Sequence, residues 1–96
     1  MELEEKLILV IVKAREEGCP ISFESSNIAE YAIRRWMSAP RRIKKMNIEN
    51  RIDDLTKGLI SKFEKSPGLV GPLKRDYIWL AKRLAEVLVA EVKAKH

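Results

Sequence analysis

The sequence predicts a mainly α-helical α+β domain that carries one small antiparallel β-hairpin. Three observations point there. Apolar residues recur at helical spacing near the start of the chain and again at Ile48, Ile52 and Leu55. From Leu59 to Phe63 the pattern switches to alternation, as a half-buried strand requires. Pro67, Gly68, Gly71 and Pro72 then punctuate the chain before apolar character returns at residues 77–80.

In chain order, Leu3, Leu7, Ile8, Ile11 and Ala14 place a first helix within residues 1–18, with Val10 and Val12 widening its apolar stripe. Gly18 is its expected stop, because glycine enters the left-handed region at low cost. Residues 20–24 alternate Ile21 and Phe23 against Ser22 and Glu24, which reads as a short strand. A second helix is expected over 27–37, with Asn27 as its cap and Glu30 completing a capping box. Ala39-Pro40 interrupts it, and the proline suits the first turn of a further helix. That region, 41–57, either runs unbroken to Lys57 or restarts at Asn47, and Gly58 is expected to end it. For residues 73–80 two readings compete. Leu73, Tyr77, Leu80, Leu84 and Val87 fit one long helix, whereas Tyr77, Ile78 and Trp79 have high strand propensity. We take the second: a hairpin over 59–80, then a terminal helix over 81–95.

Ninety-six residues, 46% hydrophobic and 34% charged, make one soluble domain. The apolar run 7–12 is too short to cross a bilayer, and the acidic start of the chain is unlike a signal peptide, so a cytoplasmic location is expected. Cys19 is the sole cysteine, which rules out an intrachain disulfide, and reads as a small packed hydrophobe. With His96 the sole histidine, the nitrogen and sulfur ligands of a zinc site are missing, and neither metal nor cofactor is expected. No Gly-rich phosphate loop or nucleophile motif occurs. Asp53-Asp54 and Glu16-Glu17 are neighbours that diverge on a helix, so an enzyme is not expected. The absence of glutamine and the scarcity of asparagine lean toward a heat-adapted source.

The net charge of +5 is unevenly spread. Residues 1–33 hold three basic and seven acidic side chains, whereas residues 34–62 hold nine basic and three acidic ones. Such a field attracts polyanions.

Three segments resemble the winged helix-turn-helix superfamily, especially small archaeal and archaeal-virus transcription regulators. They are residues 7–18 followed by Pro20-Ile21-Ser22 and the helix from Asn27; the Arg51-Ile52-x-x-Leu55 spacing leading into Gly58-Leu59-Ile60; and Tyr77-x-Trp79-Leu80 leading into an amphipathic terminal helix. The resemblance covers nearly the whole length. It implies that residues 41–57 form the recognition helix region, that 59–80 form the wing, and that the chain is a dimeric, sequence-specific, double-stranded DNA-binding transcriptional regulator. The interval before Ile48 is longer than that family's usual one, leaving room for an extra half-helix around residues 41–46.

On the residues themselves, Arg41, Arg42, Lys44, Lys45 and Arg51 are candidate phosphate contacts, and Asn47 and Asn50 candidate base readers. Lys62, Lys65, Lys74 and Arg75 flank the expected wing. Each could instead be a solvated surface charge, and Asn47 a helix cap. Trp36, Trp79, Tyr31 and Tyr77 read as core rather than as stacking platforms. Ile78, Ala81, Leu84, Ala85, Leu88 and Val92 form more apolar surface than a small core needs, which predicts a homodimer through the terminal helix. The rival readings are a protein–protein adaptor and a nonspecific architectural DNA-binding protein.

Overall fold

The computed structural model describes residues 1–63 and 73–94. Five helices follow in order: α1 (Leu3–Glu16), α2 (Ser25–Met37), α3 (Arg41–Lys44), α4 (Ile48–Phe63) and α5 (Lys74–Ala94). No strand occurs among the described residues. The expected α+β class and its hairpin are therefore corrected to an all-α fold. Residues 59–63 continue α4, residues 74–80 are the first turns of α5, and residues 20–24 form a non-helical link. The Pro/Gly stretch 67–72 and Lys65, assigned to the wing tip, lie outside the described residues.

Why helix wins at both sites follows from what is buried. Along α4 the buried positions are Leu55, Thr56, Gly58, Leu59 and Phe63, a helical stripe that passes straight through the region read as alternating. Along α5 they are Tyr77, Leu80, Ala81, Leu84, Ala85 and Leu88, so the same stripe begins, at Tyr77 and Leu80, in the segment whose local propensity favoured strand. Packing against neighbours overrides a propensity difference of about 1 kcal/mol.

The four long helices close a ring in which α1 packs on α2 and α5, and α4 packs on α2 and α5. Paired side chains give the directions. Lys6 meets Glu91 at 3.3 Å and Arg83 meets Glu17 at 2.6 Å, so α1 and α5 are antiparallel. Arg35 meets Asp54 while Trp36 meets Arg51, so α2 and α4 are antiparallel as well. Ile48 faces Val89 across one groove and Thr56 faces Ile78 across another, which makes α4 and α5 antiparallel too. The arrangement is an up-down-up-down four-helix bundle. Its core holds Leu7, Ile11, Ile28, Trp36, Leu59 and Leu84.

Two local devices set the bundle's shape. Gly18, at φ 107°, turns the chain out of α1, and Arg15 then staples the link to α2. Its guanidinium donates to the carbonyls of Ile21 (2.8 Å) and Phe23, and to Ser25 Oγ (2.9 Å). The helix α2 begins at Ser25 rather than at the expected Asn27, and its N-cap position is Glu24. Gly58 is not a helix stop. It sits inside α4 and is buried, where a Cβ would lie 2.5 Å from Arg35 Cδ and Nε and 2.6 Å from the Tyr31 hydroxyl.

No described helix is long and apolar enough to cross a membrane.

Candidate nucleic-acid interface

The corner between α2 and α4 is built by Pro40. Ala39, placed before it, cannot continue α2. The Pro40 carbonyl then accepts from the Ile43 and Lys44 amides at 2.9 and 3.1 Å, closing the single turn of α3. The chain breaks again before Ile48, and Asn47 caps α4 by accepting the Asn50 amide on Oδ1 at 2.8 Å. Of the two readings of residues 41–57, the restart at Asn47 holds, and the helix it opens runs past Lys57 to Phe63.

This turn has no buried residue. Arg41, Arg42, Lys44 and Lys45 are all exposed, and none forms an ion pair among the described residues. Asn50 is exposed beside them in the first turn of α4. By contrast, five other basic side chains are neutralised locally: Lys6 by Glu91, Arg34 by Glu30, Arg35 by Asp54, Lys57 by Asp53 and Arg83 by Glu17. The unpaired positive charge of the chain's middle third is therefore concentrated in α3.

Arg51 does not join that surface. Its guanidinium carbon lies 3.9 Å from the centre of the Trp36 ring, and its Nη2 donates to the Trp36 carbonyl at 3.1 Å. Burial pushes its pKa below the ordinary guanidinium value, with the Asp54 charge opposing the shift only in part. Trp36 itself is 3% exposed, so the pair seals the α2–α4 contact. Tyr77 is likewise buried, and Tyr31 and Trp79 are half-buried against the core. Trp36 and Tyr77 are thus closed to base stacking, and Tyr31 and Trp79 are committed in part to the core.

The remaining predicted contacts divide by position. Lys62 at the end of α4, and Lys74 and Arg75 at the start of α5, are exposed but belong to the opposite end of the bundle. Lys62 lies about 22 Å along the α4 axis from Asn47, at 1.5 Å per residue. The outward row of α4, with Asn50, Asp53, Lys57 and Ser61 all exposed, is close to neutral because Asp53 and Lys57 pair at 3.2 Å. The first turn of α1 brings Glu4 and Glu5 to the same end as α3, which confines the cationic surface to the α2–α4 edge.

Of the residues assigned to a dimer contact, Ala81, Leu84, Ala85 and Leu88 are buried in the chain's own core. They are corrected to core positions, because α1 and α4 already cover that stripe. Ile78 and Val92 are half-buried. The sequence reading missed Lys82, which lies with Ile48 on the open groove between α4 and α5. Its signal was present in the spacing of Ile78, Lys82, Ala85, Val89 and Val92 along one helix.

No protein-family model, curated protein or solved structure matches this chain. The functional reading rests on the residues themselves.

Proposed function

We propose that the chain binds double-stranded DNA through the α3 corner, with Arg41, Arg42, Lys44 and Lys45 on phosphates of the backbone. One observation carries this reading: α3 and its C-cap Lys45 fully bury no residue and present four exposed cations in five consecutive positions, none of them ion-paired among the described residues. Only Ile43 of this turn is half-buried, so folding gains little packing from it, and its self-repulsion is relieved by a polyanion. Asn50, exposed one turn into α4, is the side chain best placed to reach a base edge. With Arg51 stacked on Trp36 and Asn47 occupied as a cap, base reading is limited. Affinity comes chiefly from phosphate neutralisation, and discrimination among sequences is modest.

The test is fluorescence anisotropy of a labelled duplex at moderate salt. Reversing Arg41 and Arg42 to glutamate is expected to weaken binding by a factor on the order of 100, since each phosphate contact is electrostatic and two are inverted. A double variant that binds as tightly as the parent would refute the reading. Comparing duplexes of unrelated sequence in competition then measures the discrimination.

A further inference from the structure

Among the described residues, the Lys and Arg side chains that neither pair with a carboxylate nor hold a backbone carbonyl gather mainly in two places. Arg41, Arg42, Lys44 and Lys45 occupy one end of the bundle, and Lys62, Lys74 and Arg75 the other. Lys13, Lys82 and Lys93 stand singly.

The second group is brought together by the antiparallel packing of α4 and α5. Thr56 faces Ile78 across that contact. From there Lys62 lies about 9 Å farther along α4 and Lys74 about 6 Å farther along α5, toward the same end, at 1.5 Å per residue. All three cations are exposed, on the α4–α5 edge of that end. The described carboxylates nearby do not neutralise them. Asp76 accepts the Leu73 amide on Oδ2 at 2.8 Å, and Glu17 holds Arg83. Glu16 and Glu24 belong to the α1–α2 edge, across the ring. Folding accounts for Lys62, which suits the negative end of α4, but not for its neighbours. Lys74 and Arg75 occupy the first turn of α5, where the positive end of the helix disfavours cations.

We infer that Lys62, Lys74 and Arg75 take the phosphates of a second duplex while α3 holds the first, an assignment that rests on the DNA-binding reading of α3. One chain then bridges two DNA segments. Cations spread over two helix ends suit a row of phosphates along a backbone. The two groups lie about 22 Å apart along α4, more than twice the screening length of about 8 Å at physiological salt. A duplex docked on α3 therefore leaves the far cations free for another. With three cations against four, the far surface is the weaker and fills second.

A bead-bound duplex, the full chain and a fluorescent duplex in solution provide the test. The parent is expected to retain the fluorescent duplex on the beads. Changing Lys62, Lys74 and Arg75 to glutamine is expected to cut that retention at least about tenfold, while affinity for a single duplex stays within about threefold. Helicity by circular dichroism should match the parent, since all three positions are exposed. A parent that binds the bead-bound duplex yet retains no second one overturns the bridge and leaves binding at α3 standing. A triple variant that retains the second duplex as well as the parent also overturns it, as pairing of two copies through their α3 sites would give. A parent that binds no duplex removes the reading of α3, and the bridge with it.

Discussion

Gly58 is the residue on which the α2–α4 contact turns. Arg35 crosses over it to donate to Asp54, from Nη2 to Oδ1 at 3.0 Å and from Nε to Oδ2 at 3.2 Å, and to the Tyr31 hydroxyl at 3.1 Å. Burial alone would lower the Arg35 pKa, but the bonds to Asp54 and Tyr31 outweigh it and hold the guanidinium above its ordinary value. A methyl at position 58 would drive into this guanidinium stem. Alanine gains about 1 kcal/mol over glycine in a helix interior, yet displacing a hydrogen-bonded ion pair costs more. Gly58→Ala is therefore expected to destabilise the fold by about 1–3 kcal/mol in urea denaturation. In an Arg35→Ala, Tyr31→Phe background, which removes both the guanidinium stem and the hydroxyl that this methyl would meet, the same change should become neutral or stabilising, and a penalty of equal size in both backgrounds would contradict this account. Arg51 gives a second residue-level prediction. Arg51→Lys keeps the charge but loses the planar stack on Trp36, so stability should fall by about 1 kcal/mol while duplex affinity stays within about twofold. A large loss of affinity with unchanged stability would return Arg51 to the binding surface.

At the scale of elements, the long-range ion pairs tie α1 to α5. The Arg83 guanidinium donates to Glu17 and, with Lys13 nearby, holds that carboxyl below its ordinary value of 4.5, against a smaller opposing effect of burial. The sign follows: a carboxyl depressed in the folded state stabilises above the unfolded value, and that contribution is lost as pH falls through the folded one. Thermal melts between neutral pH and strong acid should show the parent losing stability more steeply below about pH 4.5 than Glu17→Gln. Parallel acid limbs would show that the pair contributes nothing. The same elements mark what was legible in the sequence. Gly18 and the apolar stripe from Leu3 to Ala14 specify α1 through local signals alone, and the break at Ala39-Pro40 is equally local. Gly58 and residues 73–80 were misread for one reason. A glycine inside a helix and a glycine ending one look alike until the side chain crossing it is known, and Arg35 lies on a different helix. Tyr77, Ile78 and Trp79 favour strand by propensity, but the stripe that Tyr77 shares with Leu80, Leu84 and Leu88 needs a helix. The cationic turn was legible as a charge run, whereas the capture of Arg51 by Trp36 was not, because the two lie fifteen positions apart.

Over the whole molecule, the ring of four helices segregates charge and apolar surface to different places. The end containing the α2–α4 corner presents four exposed cations without ion pairs among the described residues, the α4–α5 face presents an apolar groove, and three of the ion pairs tie one helix to another. Cations on α3 and those at Lys62, Lys74 and Arg75 occupy opposite ends, so one duplex surface is expected to engage the first set without the second. Replacing Lys74 and Arg75 with glutamine should therefore change duplex affinity by less than about threefold, compared with the loss on the order of 100-fold at Arg41 and Arg42. Equal losses at both ends would require a longer contact along the bundle.

The central claim, that phosphates dock on α3, is tested most directly by the salt dependence of duplex affinity. Each neutralised phosphate contributes about 0.9 to the slope of log affinity against log salt. Changing Arg41, Arg42, Lys44 and Lys45 to glutamine is expected to flatten that slope by about 3 to 4 relative to the parent. An unchanged slope would place the phosphate contacts elsewhere and contradict the account.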